Sequence, residues 1–187
     1  MNIHDEILAY IPFNKREEKD KQLFLKFIKN NNDILTRNNE EGHITSSCWI
    51  LNKEHNKVLM CYHNIYDSFS WLGGHNDGDS DCLKVALKEL KEESGLNNVK
   101  LIDDNIFSIE VLTVPSHIKN GKKIKQHIHY NVTYLFECDE YEPLVIKKDE
   151  NKALKWFYFD EIKDNVKEID MYNNVYAKLL SKSKKYL

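Results

Sequence analysis

The sequence predicts an α/β protein in which helices cover a mostly β core. Apolar runs of strand length recur along the chain, amphipathic helical segments stand before, between and after them, and no internal repeat is present. A length of 187 residues allows one domain with room for a hydrophobic core.

Taken in order, "NKREEKDKQLFLKFIKNNN" reads as a helix, because Leu23, Phe24, Phe27 and Ile28 make an apolar stripe among charges and an asparagine run ends it. It is expected to belong to a helical N-terminal extension over residues 1–38, with the main domain spanning 39–187. Ile44–Leu51 and Val58–His63 read as two strands joined by the turn "NKEHNK", a hairpin. A glycine-rich turn is expected at Trp71–Gly78, followed by a helix from about Asp81 to Ser94 that ends at Gly95, a residue suited to a left-handed cap. "IFSIEVLTV" and "HIHYNVTYLFEC" read as strands, separated by a loop with a turn at Asn120–Gly121 and with Lys119, Lys122, Lys123 and Lys125 around it. Lys152–Phe159 reads as a further strand, and Ile169, Tyr172, Val175, Tyr176 and Leu179 recur at helical spacing in a last helix packed on the sheet.

A formal net charge of −3, with 30% charged and 41% hydrophobic residues, gives no global pull toward nucleic acid or anionic membrane. Any affinity for phosphate is therefore local. Cys48, Cys61, Cys82 and Cys138 lack zinc-ligand spacing and are expected to be reduced, mostly buried thiols. The first residues, "MNIHDEILAYIPF", have neither a basic n-region nor a long apolar run. The expectation is a cytoplasmic protein, monomer or homodimer, with no membrane and no stable nucleic-acid partner.

The chemistry concentrates in "GGHNDGDSDCLKVALKELKEESGL", from Gly73 to Leu96. At about 100° per residue, Leu83, Ala86, Leu87 and Leu90 form a core-facing stripe, and Glu89, Glu92 and Glu93 fall on a neighbouring face. Three carboxylates at these spacings repel one another unless a cation sits between them. Oxygen ligands without a neighbouring Cys or His cluster favour Mg²⁺, or Mn²⁺, over Zn²⁺. The structural alternative is a solvated acidic face paired with Lys84, Lys88 and Lys91.

The spacing resembles the Nudix box, G-x(5)-E-x(7)-R-E-U-x-E-E-x-G-U with U a bulky aliphatic residue. Gly74, Glu89, Leu90, Glu92, Glu93, Gly95 and Leu96 match it, whereas Ser80 stands at the box's first glutamate and Lys88 at its arginine. Asp79 and Asp81 flank the missing acid, and Lys88 keeps the charge of arginine without its fork. The wider pattern "WLGGHNDGD", "HIHYNVTYLF" and "DENKALKWF" is similar to a bacterial subgroup of Nudix hydrolases, so the resemblance runs from about His43 to Ile162.

The resemblance implies an α/β/α sandwich around a mixed sheet and a hydrolase that cleaves a diphosphate in a nucleoside diphosphate linked to another moiety X, by water attack on phosphorus. It implies that Glu89, Glu92 and Glu93 bind Mg²⁺ with the backbone carbonyl of Gly73 or Gly74, and that a glutamate removes the proton. Glu150, in the loop before Trp156, is a further candidate base or ligand. His127 and His129 share one face of a presumed strand and, with His75 and Lys88, are candidates to touch substrate; a zinc site at that H-x-H pair would need further ligands. His43 and His63 bracket the core. Two rival classes remain on the same fold: a nucleotide-binding module without catalysis, and a prenyl-type diphosphate isomerase, which needs a nucleophilic cysteine such as Cys82 near the site.

Overall fold

In the computed structural model the described residues are 2–64, 67–119, 121–147 and 151–186. Two helices open the chain, α1 (Ile3–Ala9) and α2 (Lys15–Asn30), capped by Asn2 and Asn14, whose side chains accept from the first free backbone N–H groups. Strands β1 (Gly42–Asn52), β2 (Lys57–His63), β3 (Ser68–Ser70) and β4 (Leu72–His75) follow, then α3 (Cys82–Ser94). Next come β5 (Lys100–Leu101), β6 (Ser108–Val114), the small pair β7 (His117–Lys119) and β8 (Lys122–Ile124), β9 (His127–Cys138) and β10 (Asn151–Tyr158). The chain ends in α4 (Ile162–Asn165), α5 (Ile169–Met171), a π-helical stretch at Tyr172–Tyr176 and α6 (Ala177–Ser183).

The main sheet runs β10-β2-β1-β9-β5, with β3 on β2, β4 on β1 and β6 on β9. It is mixed, because β1 pairs in parallel with β9 over its whole length while every other pairing is antiparallel. Period-two alternation divides the apolar side chains between two faces. Ile44, Cys48, Ile50, Leu59, Cys61, Val132, Tyr134 and Phe136 meet α1, α2 and α3 through Ile7, Phe24, Ala86 and Leu90. Trp49, Leu51, Val58, Met60, Leu135 and Phe157 meet the C-terminal helices through Ile162, Val175, Tyr176 and Leu179. Helix, sheet and helix thus form three layers.

The N-terminal helices are anchored by charge as well as by apolar burial. Glu17 is fully buried, accepts from Tyr10 Oη at 2.5 Å and from the Phe13 N–H at 2.7 Å, and lies 3.0 Å from Lys178 and 3.2 Å from Lys182. Lys178 also pairs with buried Glu110 at 2.9 Å. Burial alone would raise the Glu17 carboxyl, but the two lysines and the hydrogen bonds outweigh it and bring it down to about 2.

Three expectations change. Trp71–Gly78 is not all turn: Leu72–His75 is a strand whose Gly73 and Gly74 pair with Ser47 and Ser46, and the turn proper begins at Asn76. The lysine loop after β6 is partly the β7–β8 hairpin; Asn120 and the side chains of Lys119 and Lys122 lie outside the described residues. In the last helix Val175, Tyr176 and Leu179 are buried but Ile169 is exposed, because the π stretch adds a residue to the turn and rotates the preceding positions off the core. The four cysteines are free and buried. No helix among the described residues is long and apolar enough to cross a membrane.

Candidate functional site

A cleft of about 1140 Å³ lies on the sheet face that carries the C-terminal helices. Its floor comes from Thr45 and Ser47 of β1 and His129 and Asn131 of β9, on the odd-numbered faces that end in the core. Along β1 the side chains read His43, Thr45, Ser47, then Trp49 and Leu51; along β9 they read His127, His129, Asn131, Thr133, then Leu135. The parallel register sets His43 beside His129, Thr45 beside Asn131 and Ser47 beside Thr133. Asn131 binds this floor together: its Oδ1 accepts from Thr45 at 3.0 Å and Ser47 at 2.8 Å, and its Nδ2 donates to Glu110 at 2.9 Å.

Helix α3 brings the carboxylates to one wall. Asp81 caps its start by accepting from the Lys84 N–H at 2.9 Å, and Gly95 ends it at φ 73°. Asp79 accepts from the Asp81 N–H at 3.0 Å and pairs with Lys84 at 2.8 Å, so the flanking aspartates brace the turn where Ser80 lacks a carboxylate. Asn76 adds to this brace, accepting from Ser46 at 2.8 Å and donating to the Asp79 carbonyl at 2.9 Å.

The buried arc of α3 is Cys82, Val85, Ala86, Leu90, Glu93 and Ser94, whereas Leu83 is only partly buried and Leu87 is exposed. The apolar stripe is therefore rotated from the expected one, and Glu93 lies within it. Its Oε2 accepts the Gly73 N–H at 2.9 Å and its Oε1 accepts from Asn151 Nδ2 at 3.2 Å. Gly74 is the gap through which Glu89 approaches: a Cβ there would stand 2.5 Å from Glu89 Cδ. A Cβ on Gly73, at φ 155°, would meet the Ser46 carbonyl at 2.6 Å.

Lys88 stands 3.3 Å from both Glu89 and Glu92, and Lys147 stands 3.7 Å from Glu92. The space between these carboxylates already attracts a cation, and the donor set is all oxygen, so it fits a hard divalent ion. Glu89, Glu92 and Glu93, with Gly73, Gly74, Lys88, His75 and His129, all line the cleft. His127 is buried behind His129, 3.1 Å away between Nε2 atoms. Burial, then the neighbouring imidazoles, pushes His129 down to about 2, and burial also lowers His43. Glu150 lies outside the described residues. Asn131, Asn151 and Asn76 were not expected, because each has a partner on a distant element; only an inward strand phase or a place beside the glycine turn pointed to them.

Cys82 is no exposed nucleophile. It is buried, accepts from Asn76 Nδ2 at 3.2 Å, and burial pushes its thiol up to about 11.

The family model described as NUDIX domain matches residues 41–179. Among solved structures, a C. elegans Ap4A hydrolase in a binary complex aligns at TM-score 0.55 and 17% identity, covering 76% of this chain and 96% of that one. A NUDIX family hydrolase from Clostridium perfringens aligns at TM-score 0.52 and 21% identity, covering 78% and 98%. The E. coli dihydroneopterin triphosphate pyrophosphohydrolase aligns at TM-score 0.54 and 15% identity, covering 76% and 93%. These likenesses show the fold. No curated protein sequence matches the chain.

Proposed function

The chain belongs to the NUDIX family of pyrophosphohydrolases, whose members use divalent metal ions, and from that premise we propose Mg²⁺-dependent cleavage of a diphosphate in a small nucleoside diphosphate derivative. The observation that carries this reading is Glu93, a buried carboxylate held by the Gly73 N–H and Asn151 on the wall of the cleft, one turn from Glu89 against Gly74. Glu89, Glu92 and Glu93 would hold the ion, with the Gly73 carbonyl as a further oxygen. When bound, the ion supplies neutralisation of the diphosphate charge and a more acidic water.

The chain's own groups do the positioning. Lys88 bridges Glu89 and Glu92 as a point charge where the family's arginine would present a fork, and its ammonium is raised chiefly by Glu89, so it stays cationic beside an anionic substrate. The Asn151 amide and the Gly73 N–H hold Glu93 on the wall of the cleft, where a carboxylate is placed to accept a proton from water. His75 and His129 line the same cleft, with His127 behind His129. Residues 1–38 are an extension of the catalytic unit, consistent with a family match that begins at residue 41.

The test is turnover of dinucleoside polyphosphates, nucleotide sugars, ADP-ribose and nucleoside triphosphates with Mg²⁺ or Mn²⁺, scored against Glu93→Gln and Glu150→Gln. Metal-dependent release of a phosphate or monophosphate that disappears in Glu93→Gln supports the hydrolase. Ligands that raise thermal stability without turnover would instead make this a binding module.

A further inference from the structure

A second cluster of ligating side chains lies in the same cleft and is chemically unlike the first. His43 on β1, His75 at the end of β4 and His129 on β9 come from three adjacent strands, because β1 is flanked by β4 on one side and β9 on the other. Their ring centroids make a nearly equilateral triangle, at 5.0 Å for His43–His75, 5.0 Å for His43–His129 and 4.9 Å for His75–His129. One ring nitrogen of each lies within 4.8 Å of the others, and among the described residues this is the one group of three Cys, His, Asp or Glu side chains that converges so. We propose that His43, His75 and His129 form a binding site for a transition-metal ion of the zinc class, separate from the carboxylate site on α3.

Tautomer and burial support the assignment. His43 is 4% exposed; its Nδ1 lies 3.4 Å from the Asn39 carbonyl, which can only accept, so the proton sits on Nδ1. That leaves a lone pair on Nε2, an enclosed atom with no hydrogen-bond partner. His127 is set the same way, its Nδ1 donating to the Lys125 carbonyl at 2.9 Å and its Nε2 accepting at 3.1 Å from His129. His129, donating from Nε2, keeps its lone pair on Nδ1. Metal-bound histidines characteristically donate their other N–H to a carbonyl, which fixes the ring and selects the ligating nitrogen.

The donor set decides the ion. Three neutral imidazoles without a carboxylate or thiolate suit Zn²⁺, Co²⁺, Ni²⁺ or Cu²⁺, whereas Mg²⁺ demands oxygen. A tetrahedral site with Zn–N of about 2.0–2.1 Å has ligand nitrogens about 3.4 Å apart, so small rotations of rings whose nitrogens already lie within 4.8 Å close it. The turn after His75 is stiff, since Arg37 holds Asp77 by Nε–Oδ1 contact at 2.8 Å and Asn76 is fixed by Ser46 and Asp79. His75 and His129 line the cleft, which leaves the fourth position open to water or to an anionic ligand. Whether the carboxylates catalyse hydrolysis is a separate question from whether these imidazoles bind metal.

The experiment uses the full chain, stripped with chelator and titrated with Co²⁺ in the presence of excess Mg²⁺. The expected result is visible absorption typical of low-coordinate Co²⁺ at one equivalent, retained in Glu92→Gln/Glu93→Gln and weakened at least 100-fold in His75→Gln and in His129→Gln. His75 is only partly buried, so its replacement opens no core cavity. Wild-type protein alone supplies a second reading: Co²⁺ should shift exchangeable imidazole N–H proton resonances far outside the diamagnetic range. Absorption no different from aqueous Co²⁺, absence of shifted imidazole protons, or bands lost in the glutamate variant and kept in the histidine variants would each overturn the proposal.

Discussion

Glu93→Gln separates the chemistry of this carboxylate from its structural contacts. Glu93 is buried and accepts hydrogen bonds from the Gly73 N–H at 2.9 Å and from Asn151 Nδ2 at 3.2 Å. A glutamine keeps one acceptor for Gly73 but turns an NH₂ toward Asn151. The Asn151 Oδ1 has no hydrogen-bond partner, so rotating that amide by half a turn presents an acceptor to the new donor. These charge-assisted bonds become neutral ones, a loss of roughly 1–2 kcal/mol, partly offset by relief of carboxylate desolvation. The net change in stability is expected near 1 kcal/mol, or about 2–4 °C in melting temperature for a chain of this size. Turnover should fall about 10²–10⁴-fold, the scale of a lost proton-transfer group. Thermal melts followed by circular dichroism and a phosphate-release assay on the same preparations decide the matter. A fall in melting temperature beyond about 8 °C would refute the amide exchange, and unchanged turnover would refute the catalytic role.

Three other outcomes follow from neighbouring geometry. Gly74→Ala places a Cβ 2.5 Å from Glu89 Cδ, the end of a flexible side chain, so stability should hold within about 1 kcal/mol while displacement of Glu89 lowers kcat more than tenfold, read by paired melts and kinetics. Asn151→Ala removes a donor to Glu93 and should lower activity roughly 10–100-fold and raise the Mg²⁺ concentration for half-maximal rate. Glu17 is held down at about 2 against an ordinary 4.5, so its contribution, roughly 3 kcal/mol, is complete above about pH 4.5 and is lost as pH falls toward 2; urea midpoints measured across that window should fall steeply in the wild type and be flatter, from a lower start, in Glu17→Gln.

Most of the fold was legible because its signals are local. The asparagine-ended α2, the β1–β2 hairpin, α3 with its Gly95 cap and the long β9 each announce themselves in one short contiguous stretch. Gly73 and Gly74 misled for a physical reason: glycine is poor in strands, so a pair of them reads as a turn, whereas here they are the part of β4 over which a helix must bring its carboxylates. The histidine cluster was illegible in a different way. His43 and His129 are neighbours only through a parallel register between strands far apart in sequence, and no local pattern records that pairing.

A readable signal nevertheless ran along each of those strands. On the odd face of β1, histidine, threonine and serine give way to tryptophan and leucine, and on β9 the same face passes from histidines and asparagine to leucine. A face that changes from polar to apolar partway along a strand runs from a cleft into a core, and it locates the cleft end before any pairing is known. The same reasoning corrects α3. Drawing its core arc through Leu83, Ala86, Leu87 and Leu90 excluded Glu93, yet Cys82, Val85, Ala86 and Leu90 draw the arc through it. Exposed acids on a helix are common, whereas an acid inside the buried arc is costly unless donors and a cation meet it, so the position of Glu93 within that arc carries more weight than the acidic cluster as a whole.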